Sequence, residues 1–294
     1  MKNTINYYYN LIPSNIHQID DTYQLNINNT LYIFSPYYGN INNLNYIYNY
    51  LISLNIYCHE IIYNKQNSII TPLNEKNYIL LKVYYNDPTK INIQNILSYN
   101  ILIKTDKICN WYELWCQKLD YYEYQLREFG KKYPIIRDSF SYYNGLCETA
   151  ISLLNNIDFK KIPLYLNHQR ITKNMNLVDF YNPLNLVMDI KIRDICEYFK
   201  IKFFDDENIL EEVKNYLYTS KLNYNEIFLF FIRLLYPSYY FDTYDNIIQG
   251  KYKEDKLNKY IEKIPNYELF LKKIYFIINN NFYQLPEIEW IIKM

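Results

Sequence analysis

The chain has 294 residues, 50% of them hydrophobic and 21% charged, which is the balance of a globular protein with one large core or two lobes. Its 31 Lys and Arg residues match its 31 Asp and Glu residues, so the net charge is +0. Without a basic surface to attract phosphate backbones, we expect no nucleic-acid partner.

The sequence predicts neither a secretory signal nor a membrane segment. Residues 1–10 lack a sustained apolar core and a small-residue cleavage site. No run approaches the roughly 18 apolar residues that span a bilayer. We therefore expect synthesis in a cytosol and no membrane partner.

Neither the cysteines nor the tyrosines indicate a reactive or metal-binding site. The five cysteines are scattered and show no zinc or redox spacing with the three histidines. Cys58 and His59 are adjacent, but neighbours on a strand point to opposite faces, so we expect buried or half-buried free thiols. The 38 tyrosines accompany many Asn, Ile and Lys residues, all from AT-rich codons, so genome composition accounts for them ahead of oxidative cross-linking.

The first 86 residues predict a small antiparallel sheet lobe with one helix. Asn28-Asn29 separates two apolar runs, as in a β-hairpin, and apolar residues at helical spacing across residues 42–55 predict an amphipathic helix. Pro88 ends the last strand, so the lobe boundary is placed just before it. The predicted strands cover residues 22–27, 30–34, 56–63, 68–72 and 78–85.

Residues 87–294 show a mainly helical pattern, so the whole chain predicts an α+β fold with a larger helical second lobe. One helix carries an apolar face from Trp111 to Leu126, with Gly130 as its cap. The irregular stretch 162–188 is where we expect functional groups, since loops on a rigid scaffold commonly carry them. The other predicted helices cover residues 139–154, 192–199, 225–235 and 267–278.

Residues 168–170, His-Gln-Arg, have the spacing of a kinase-type catalytic loop, with Asp189 following 21 residues after His168. In such loops an Asp at the third position accepts the hydroxyl proton, and the later Asp holds the metal. Arg170 stands in the place of the base, and a guanidinium does not deprotonate in a protein. Asn174, near the place of the metal-binding Asn, comes 4 residues after Arg170, where the pattern has about 5.

Four separated motifs together resemble the YutH family of endospore coat proteins, in register from about Thr22 to Trp290. These proteins are related to CotS-type coat proteins, and the wider group is similar to the aminoglycoside-phosphotransferase branch of the protein-kinase-like fold. The resemblance implies a two-lobed kinase-like fold, a role in sporulation, and a place in the spore coat after synthesis in the mother-cell cytoplasm. The motifs are residues 142–151, 168–172, 188–195 and 231–241, with residues 78–82 at the implied hinge.

The parts of a kinase site that hold the nucleotide phosphates are missing from the first lobe. The strand 30–35, which corresponds to the lysine-bearing strand, has no lysine, and the helix 42–55 has no acidic residue. The hairpin 20–34 has no glycine for close approach to phosphates. Lys82 lies at the hinge, where we expect it to reach solvent. We therefore expect no cofactor.

Two interpretations of Asp189 stay open, a metal ligand or the partner of a cation. We expect an ion pair with Arg170, which neutralises both groups and excludes a metal. Asp194 is expected to be structural, because the resemblance to kinases implies hydrogen bonds from the loop backbone and a helix start favours a carboxylate. Glu148 and Arg233 are expected in internal pairs of the helical lobe.

The sequence favours a pseudokinase, that is, a non-catalytic coat component that acts in coat assembly through interaction with other spore coat proteins. The alternative is an atypical ATP-dependent phosphotransferase for a small molecule or a coat protein, with Mg-ATP as cofactor and Asp189 as the metal ligand. A third interpretation, an apolar cleft for a ligand other than a nucleotide, depends on the aromatic content alone.

Overall fold

The computed structural model describes residues 1–155 and 157–293, with most strands in the first part and most helices in the rest. The strands are β1 (Asn15–Ile19), β2 (Thr22–Ile27), β3 (Thr30–Pro36), β4 (Glu60–Ile62), β5 (Thr71–Leu73), β6 (Lys76–Val83), β7 (Leu102–Ile103), β8 (Leu164–His168) and β9 (Leu186–Ile190). The helices are α1 (Lys2–Tyr9), α2 (Ile41–Ser53), α3 (Ile93–Tyr99), α4 (Trp111–Phe129), α5 (Pro134–Leu154), α6 (Leu177–Phe180), α7 (Arg193–Phe204), α8 (Leu210–Thr219), α9 (Tyr224–Leu235), α10 (Ser238–Ile248), α11 (Asn258–Ile261), α12 (Ile264–Asn281) and α13 (Glu289–Lys293).

The chain forms two compact units, each with its own core. The division into lobes after residue 86 stays a prediction. The first unit comprises Met1–Ile96, Leu166–Arg170 and Asn174–Met188, and the second comprises Leu97–Tyr165, Ile171–Lys173 and Asp189–Met294.

A six-stranded antiparallel sheet builds the first unit, in the order β1-β2-β3-β6-β4, with β5 also paired to β6. Successive residues of a strand point to opposite faces, so both faces of β3 can be buried. Phe34 packs with Ile5 of α1 on one face. Ile33 packs with Leu44 of α2 on the other. The helix predicted at residues 42–55 is confirmed as α2, and it covers one face of the sheet.

The turn between β2 and β3 consists of Asn28 and Asn29, whose φ angles are 48° and 60°. The register pairs Ile27 with Thr30, which leaves a two-residue loop. A left-handed backbone at both loop residues gives a turn whose twist matches the twist of the two strands. Asn adopts this backbone more readily than most residues. The predicted hairpin is confirmed.

The sequence pattern does not predict α1 or β1. All residues of β1 except Ile16 are exposed, so the strand shows no apolar alternation from which it could be recognised. Because β1 precedes the hairpin, β3 is the third strand of the chain. The third strand of a kinase carries the phosphate-binding lysine, so β3 is the strand to compare with it. The strand predicted at 56–63 shortens to β4, and the strand predicted at 68–72 is replaced by β5, which starts later and ends one residue beyond it.

Helices dominate the second unit, and the predicted ones are confirmed, mostly with longer bounds. In α4 the buried face holds Trp111, Trp115 and Tyr122, whereas Leu114, predicted on this face, is exposed. Gly130 ends α4 with a right-handed φ of −59°, so it caps the helix without needing a left-handed backbone. α8 and α10 were not predicted. None of the helices within residues 1–155 and 157–293 is long and apolar enough to cross a membrane.

Candidate functional site

In the first unit, His168 ends β8 with its side chain 2% exposed. Its Nε2 lies 2.9 Å from the carbonyl oxygen of Phe180, and its ring stacks on Phe180 at 4.3 Å. A carbonyl only accepts, so Nε2 carries the proton and donates it to this bond. This geometry fixes the start of the loop and suits a structural histidine.

Arg170 is exposed, two residues after His168. Its guanidinium donates to the carbonyl of Gln169 at 2.9 Å, and its backbone exchanges hydrogen bonds of 3.3 Å with the Asn185 side chain. Asn174 is also exposed, and its Oδ1 accepts a bond from Lys90 at 3.3 Å. The ion pair of Arg170 with Asp189 stays a prediction.

The first unit lacks, at the corresponding positions, the residues that hold the nucleotide phosphates in kinases. β3, the third strand of the chain, contains no lysine, and α2 contains no acidic residue. The turn between β1 and β2 is Asp20-Asp21, without glycine. Lys82 of β6 donates to the hydroxyl of Tyr84 at 3.1 Å at the surface. These residues do not fit a nucleoside triphosphate whose phosphates are held by backbone amides and a lysine.

In the second unit, Asp189 is 2% exposed, and hydrogen-bond donors surround its carboxylate. The Oδ1 atom accepts from Trp111 Nε1 at 2.7 Å, from Cys109 Sγ at 3.2 Å and from the backbone N–H of Ile190 at 2.7 Å. The Oδ2 atom forms an ion pair with Arg193. Both oxygens of the carboxylate that the sequence singles out as a metal ligand are therefore used by protein donors.

The charges around Asp189 keep it ionised. Burial alone raises the pKa of a carboxyl, but the positive charges of Arg193 and Arg233 outweigh burial and hold the pKa of Asp189 below its ordinary value. Burial and the negative charge of Asp189 raise the pKa of the Cys109 thiol, which therefore stays a hydrogen-bond donor.

A second set of largely buried charges lies on α7 and α9, with a serine of α10 beside it. Glu197 accepts from Lys200 at 2.7 Å, from Arg233 at 2.8 Å and from Ser238 at 2.6 Å. Lys200 is 1% exposed and also donates to the carbonyls of Arg233 and Tyr236. Because burial favours the neutral amine, it lowers the pKa of Lys200 despite the opposing charge of Glu197.

Arg233 lies among three aromatic rings as well as beside Glu197. Its guanidinium carbon is 5.1 Å from the ring centre of Trp111 and 5.7 Å from those of Trp115 and Tyr236, distances at which cation–π attraction operates. The internal pair predicted for Arg233 is confirmed, with Glu197 as its partner. Glu148, predicted in a similar role, lies instead on the surface and accepts a bond from Asn144 at 3.1 Å.

Asp194 lies in the first turn of α7, as predicted, and is 3% exposed. The helix dipole favours a carboxylate at this place. Its predicted bonds to the loop backbone stay a prediction. Sequence reasoning missed Trp111, Cys109 and Arg193 as partners of Asp189, because Asp189 lies on a strand, where four-residue spacing does not indicate contact.

The donor set at Asp189 decides whether a divalent metal fits there. Metals of this kind prefer several oxygen ligands, whereas Asp189 is bound by a guanidinium, an indole, a thiol and an amide. Within residues 1–155 and 157–293, no group of three or more His, Cys, Asp and Glu side chains is placed to hold a metal ion. The residues present do not fit a metal at Asp189.

The architecture is that of the kinase-like phosphotransferases. An aminoglycoside phosphotransferase from Alicyclobacillus acidocaldarius subsp. acidocaldarius DSM 446 aligns with a TM-score of 0.65 at 8% identity, over 92% of this chain and 94% of that one. A spectinomycin phosphotransferase in complex with ADP and spectinomycin aligns with a TM-score of 0.54 at 12% identity, over 92% of each chain. At these identities the likeness shows the fold alone. The predicted fold class is confirmed.

The chain belongs to the Spore_coat_YutH family, described as "Spore coat putative kinase YutH", whose model matches residues 2–274. This match confirms the resemblance seen in the sequence motifs. A search of curated protein sequences finds no significant match. The relation to CotS-type proteins stays a prediction.

Proposed function

We propose that this chain is a non-catalytic, kinase-fold component of the spore coat that acts in coat assembly through contacts with other coat proteins. The description of the family supports a place in the spore coat, and the kinase-like fold offers a scaffold for such contacts. The main support for the absence of phosphotransfer activity is the use of both Asp189 carboxylate oxygens by protein donors.

Freeing Asp189 for a metal requires the loss of its ion pair with Arg193. The side chains of Asp189 and Arg193 are 3% and 14% exposed. Separating a buried pair leaves uncompensated charges, which costs roughly 3–5 kcal/mol. A magnesium ion, which gives up its water reluctantly, gains little from a single carboxylate of this kind. Metal-assisted phosphoryl transfer is therefore disfavoured at this position.

The first unit supports the same proposal independently. A kinase needs a lysine on the third strand and a glutamate on the next helix to place the nucleotide phosphates. β3 has no lysine and α2 has no acidic residue. Positioning and electrostatics make up nearly all of phosphoryl-transfer catalysis, so the loss of these groups together with the base removes most of it.

Calorimetric titration of the purified protein with Mg-ATP tests the proposal. We expect no saturable heat and no thermal shift, with the spectinomycin phosphotransferase as a positive control for the assay. Saturable binding near one nucleotide per chain would overturn the proposal in favour of an atypical phosphotransferase. If binding occurs, Asp189→Asn decides the metal's role, because a metal-dependent site would lose affinity while a metal-independent one would keep it.

The place of action is tested in cells. A fluorescent fusion expressed from the native promoter in an endospore-forming host should appear first in the mother cell and then as a shell around the spore. A signal confined to the forespore interior, or one that persists in vegetative cells without joining the spore, contradicts the proposed role in coat assembly.

A further inference from the structure

One edge of the six-stranded sheet is open to a further strand. Within residues 1–155 and 157–293, β1 pairs with β2 alone, from Asn15 opposite Asn26 to Ile19 opposite Thr22. The Ile16 N–H donates to the Asn15 side chain at 2.9 Å, a bond between sequence neighbours of the kind that backbone groups make at an edge. An edge of this kind presents a row of backbone donors and acceptors to another chain.

The two ends of the sheet differ in their protection against pairing. Proteins commonly protect edge strands by short length, charged side chains or proline. β4, at the far end, has three residues and carries Glu60, which accepts a hydrogen bond from Tyr84. β1 has five residues, N-I-H-Q-I, with no charged residue and no proline. β1 is therefore the edge suited to accept another strand, and β4 is not.

We propose that β1 pairs with β1 of a second copy of this chain, antiparallel about a two-fold axis at His17. Two features of β1 favour a second copy as its partner: the strand has no charged residue, and its backbone groups are open at the edge of the sheet. A neutral strand meets no like charge in its own copy, and an antiparallel arrangement satisfies the backbone groups of both edges. Pairing of β1 with β4 of a second copy would build an open chain, but the protection of β4 disfavours it.

Asp20 selects the antiparallel direction. It follows β1 directly and is exposed. In a parallel pair the two Asp20 carboxylates lie side by side and repel each other. In the antiparallel pair they lie at opposite ends of the two strands, separated by about 20 Å at roughly 3.4 Å per residue, where solvent screens them.

The proposed dimer goes beyond the proposed contacts with other coat proteins, and it depends only on the strand pairing of the sheet and on the charges of its edge strands. The two ideas therefore fail separately. Nucleotide binding would overturn the non-catalytic function and leave the dimer intact. A monomeric protein would remove the dimer and leave the nucleotide result unchanged.

Sedimentation equilibrium over a range of concentrations tests the dimer. The wild-type mass should rise from 36.2 kDa towards twice that value as the concentration increases. His17→Lys places two ammonium groups face to face at the axis and should weaken the dimer by roughly tenfold. Asn49→Lys adds the same charge at an exposed position of α2 and should dimerise like the wild type.

Amide hydrogen exchange of the wild-type protein locates the contact without relying on a variant. Exchange at residues 15–19 should slow as the concentration rises, while exchange at residues 60–62 stays constant. A mass of 36.2 kDa at every concentration, or a folded His17→Lys protein that dimerises like the wild type, overturns the proposal. Protection of β1 only after addition of another coat protein also overturns it, because the occupant is then not a second copy.

Discussion

Arg193 forms an ion pair with Asp189, four residues before it, and both side chains are largely buried. Asp189 lies near the end of β9 and Arg193 begins α7, so the short connection between strand and helix brings cation and carboxylate together. The pair places a fixed positive charge beside the carboxylate that the phosphotransferase pattern assigns to a metal. Stability, rather than catalysis, is what this pair should measurably affect.

Removal of Arg193 should destabilise the protein strongly. Arg193→Gln leaves the Asp189 charge buried beside fewer partners, and we expect the free energy of unfolding to fall by roughly 3–5 kcal/mol. Asp189→Asn should have an effect of similar size. The double variant should lose clearly less than the sum of the two, because neither charge is then left unpaired. Urea unfolding of the four proteins measures this coupling.

Arg127→Gln is the matched control for this cycle. Arg127 also pairs with a carboxylate at four-residue spacing, but its side chain is 78% exposed and lies 3.9 Å from Glu123. We expect a change within about 1 kcal/mol, since solvent screens exposed pairs. Additive effects of Arg193→Gln and Asp189→Asn would show that the two side chains are not coupled.

Acid should weaken the protein through Asp189. Its pKa is lower in the folded protein than in the unfolded chain, so the folded state binds fewer protons. The stabilisation is fully present above the unfolded value of about 3.9 and disappears as the pH falls through the folded value. Below pH ~4 the wild type should therefore lose stability more steeply than Asp189→Asn. Equal slopes in urea melts across this range would contradict the assignment.

Local chain chemistry made much of the first unit predictable. Asn28 and Asn29 indicate a two-residue turn because few residues adopt a left-handed backbone, and Leu44 shares its helical spacing with Ile47 and Leu51. β1 was not predictable, because its side chains are exposed and it is a strand only through its pairing with β2. Such elements depend on tertiary context rather than on their own pattern.

For the candidate site, the sequence identified the carboxylate but not its partners. Asp189 was found from its spacing to His168, and Arg233 was expected in an internal pair. Glu197, the partner of Arg233, is 36 residues away in the chain, and spacing alone does not reveal such a contact. Arg193 was missed for another reason, since four-residue spacing indicates contact on a helix and Asp189 belongs to a strand.

The thiols should react very unequally. Cys58, Cys147 and Cys196 are buried, and burial raises the pKa of Cys58 to about 12. Cys109 is half-buried, and burial together with Asp189 raises its pKa as well. The thiolate is the nucleophile, so these four thiols should react slowly at neutral pH. Cys116 is half-buried and is not the donor to Asp189, so we expect it to be alkylated at least about tenfold faster than the other four.

Mass spectrometry of the alkylated protein identifies the fast site. Cys116→Ser should remove the fast phase and leave the slow ones unchanged. All five cysteines of the wild type should react at similar rates in concentrated urea, where burial is lost. Rapid labelling of Cys109 in the folded protein would contradict its assigned role as a donor to Asp189.

Two tryptophans of α4 offer a direct measure of the bond to Asp189. Trp111 and Trp115 are both buried and stack on each other at 5.1 Å. Trp111 donates its indole N–H to Asp189 at 2.7 Å, whereas the side chain of Trp115 makes ring contacts and no hydrogen bond within residues 1–155 and 157–293. The same substitution at the two positions therefore differs mainly in this bond.

Trp111→Phe and Trp115→Phe each remove the same ring volume from the same helix. Only Trp111→Phe also takes a donor from a buried anion, and bonds to charged groups contribute roughly 1.5–3 kcal/mol. We expect Trp111→Phe to be less stable than Trp115→Phe by about that amount in urea unfolding followed by circular dichroism. If the two variants are equally stable, the indole of Trp111 does not hold the Asp189 carboxylate, and the case for a fully occupied carboxylate is weakened.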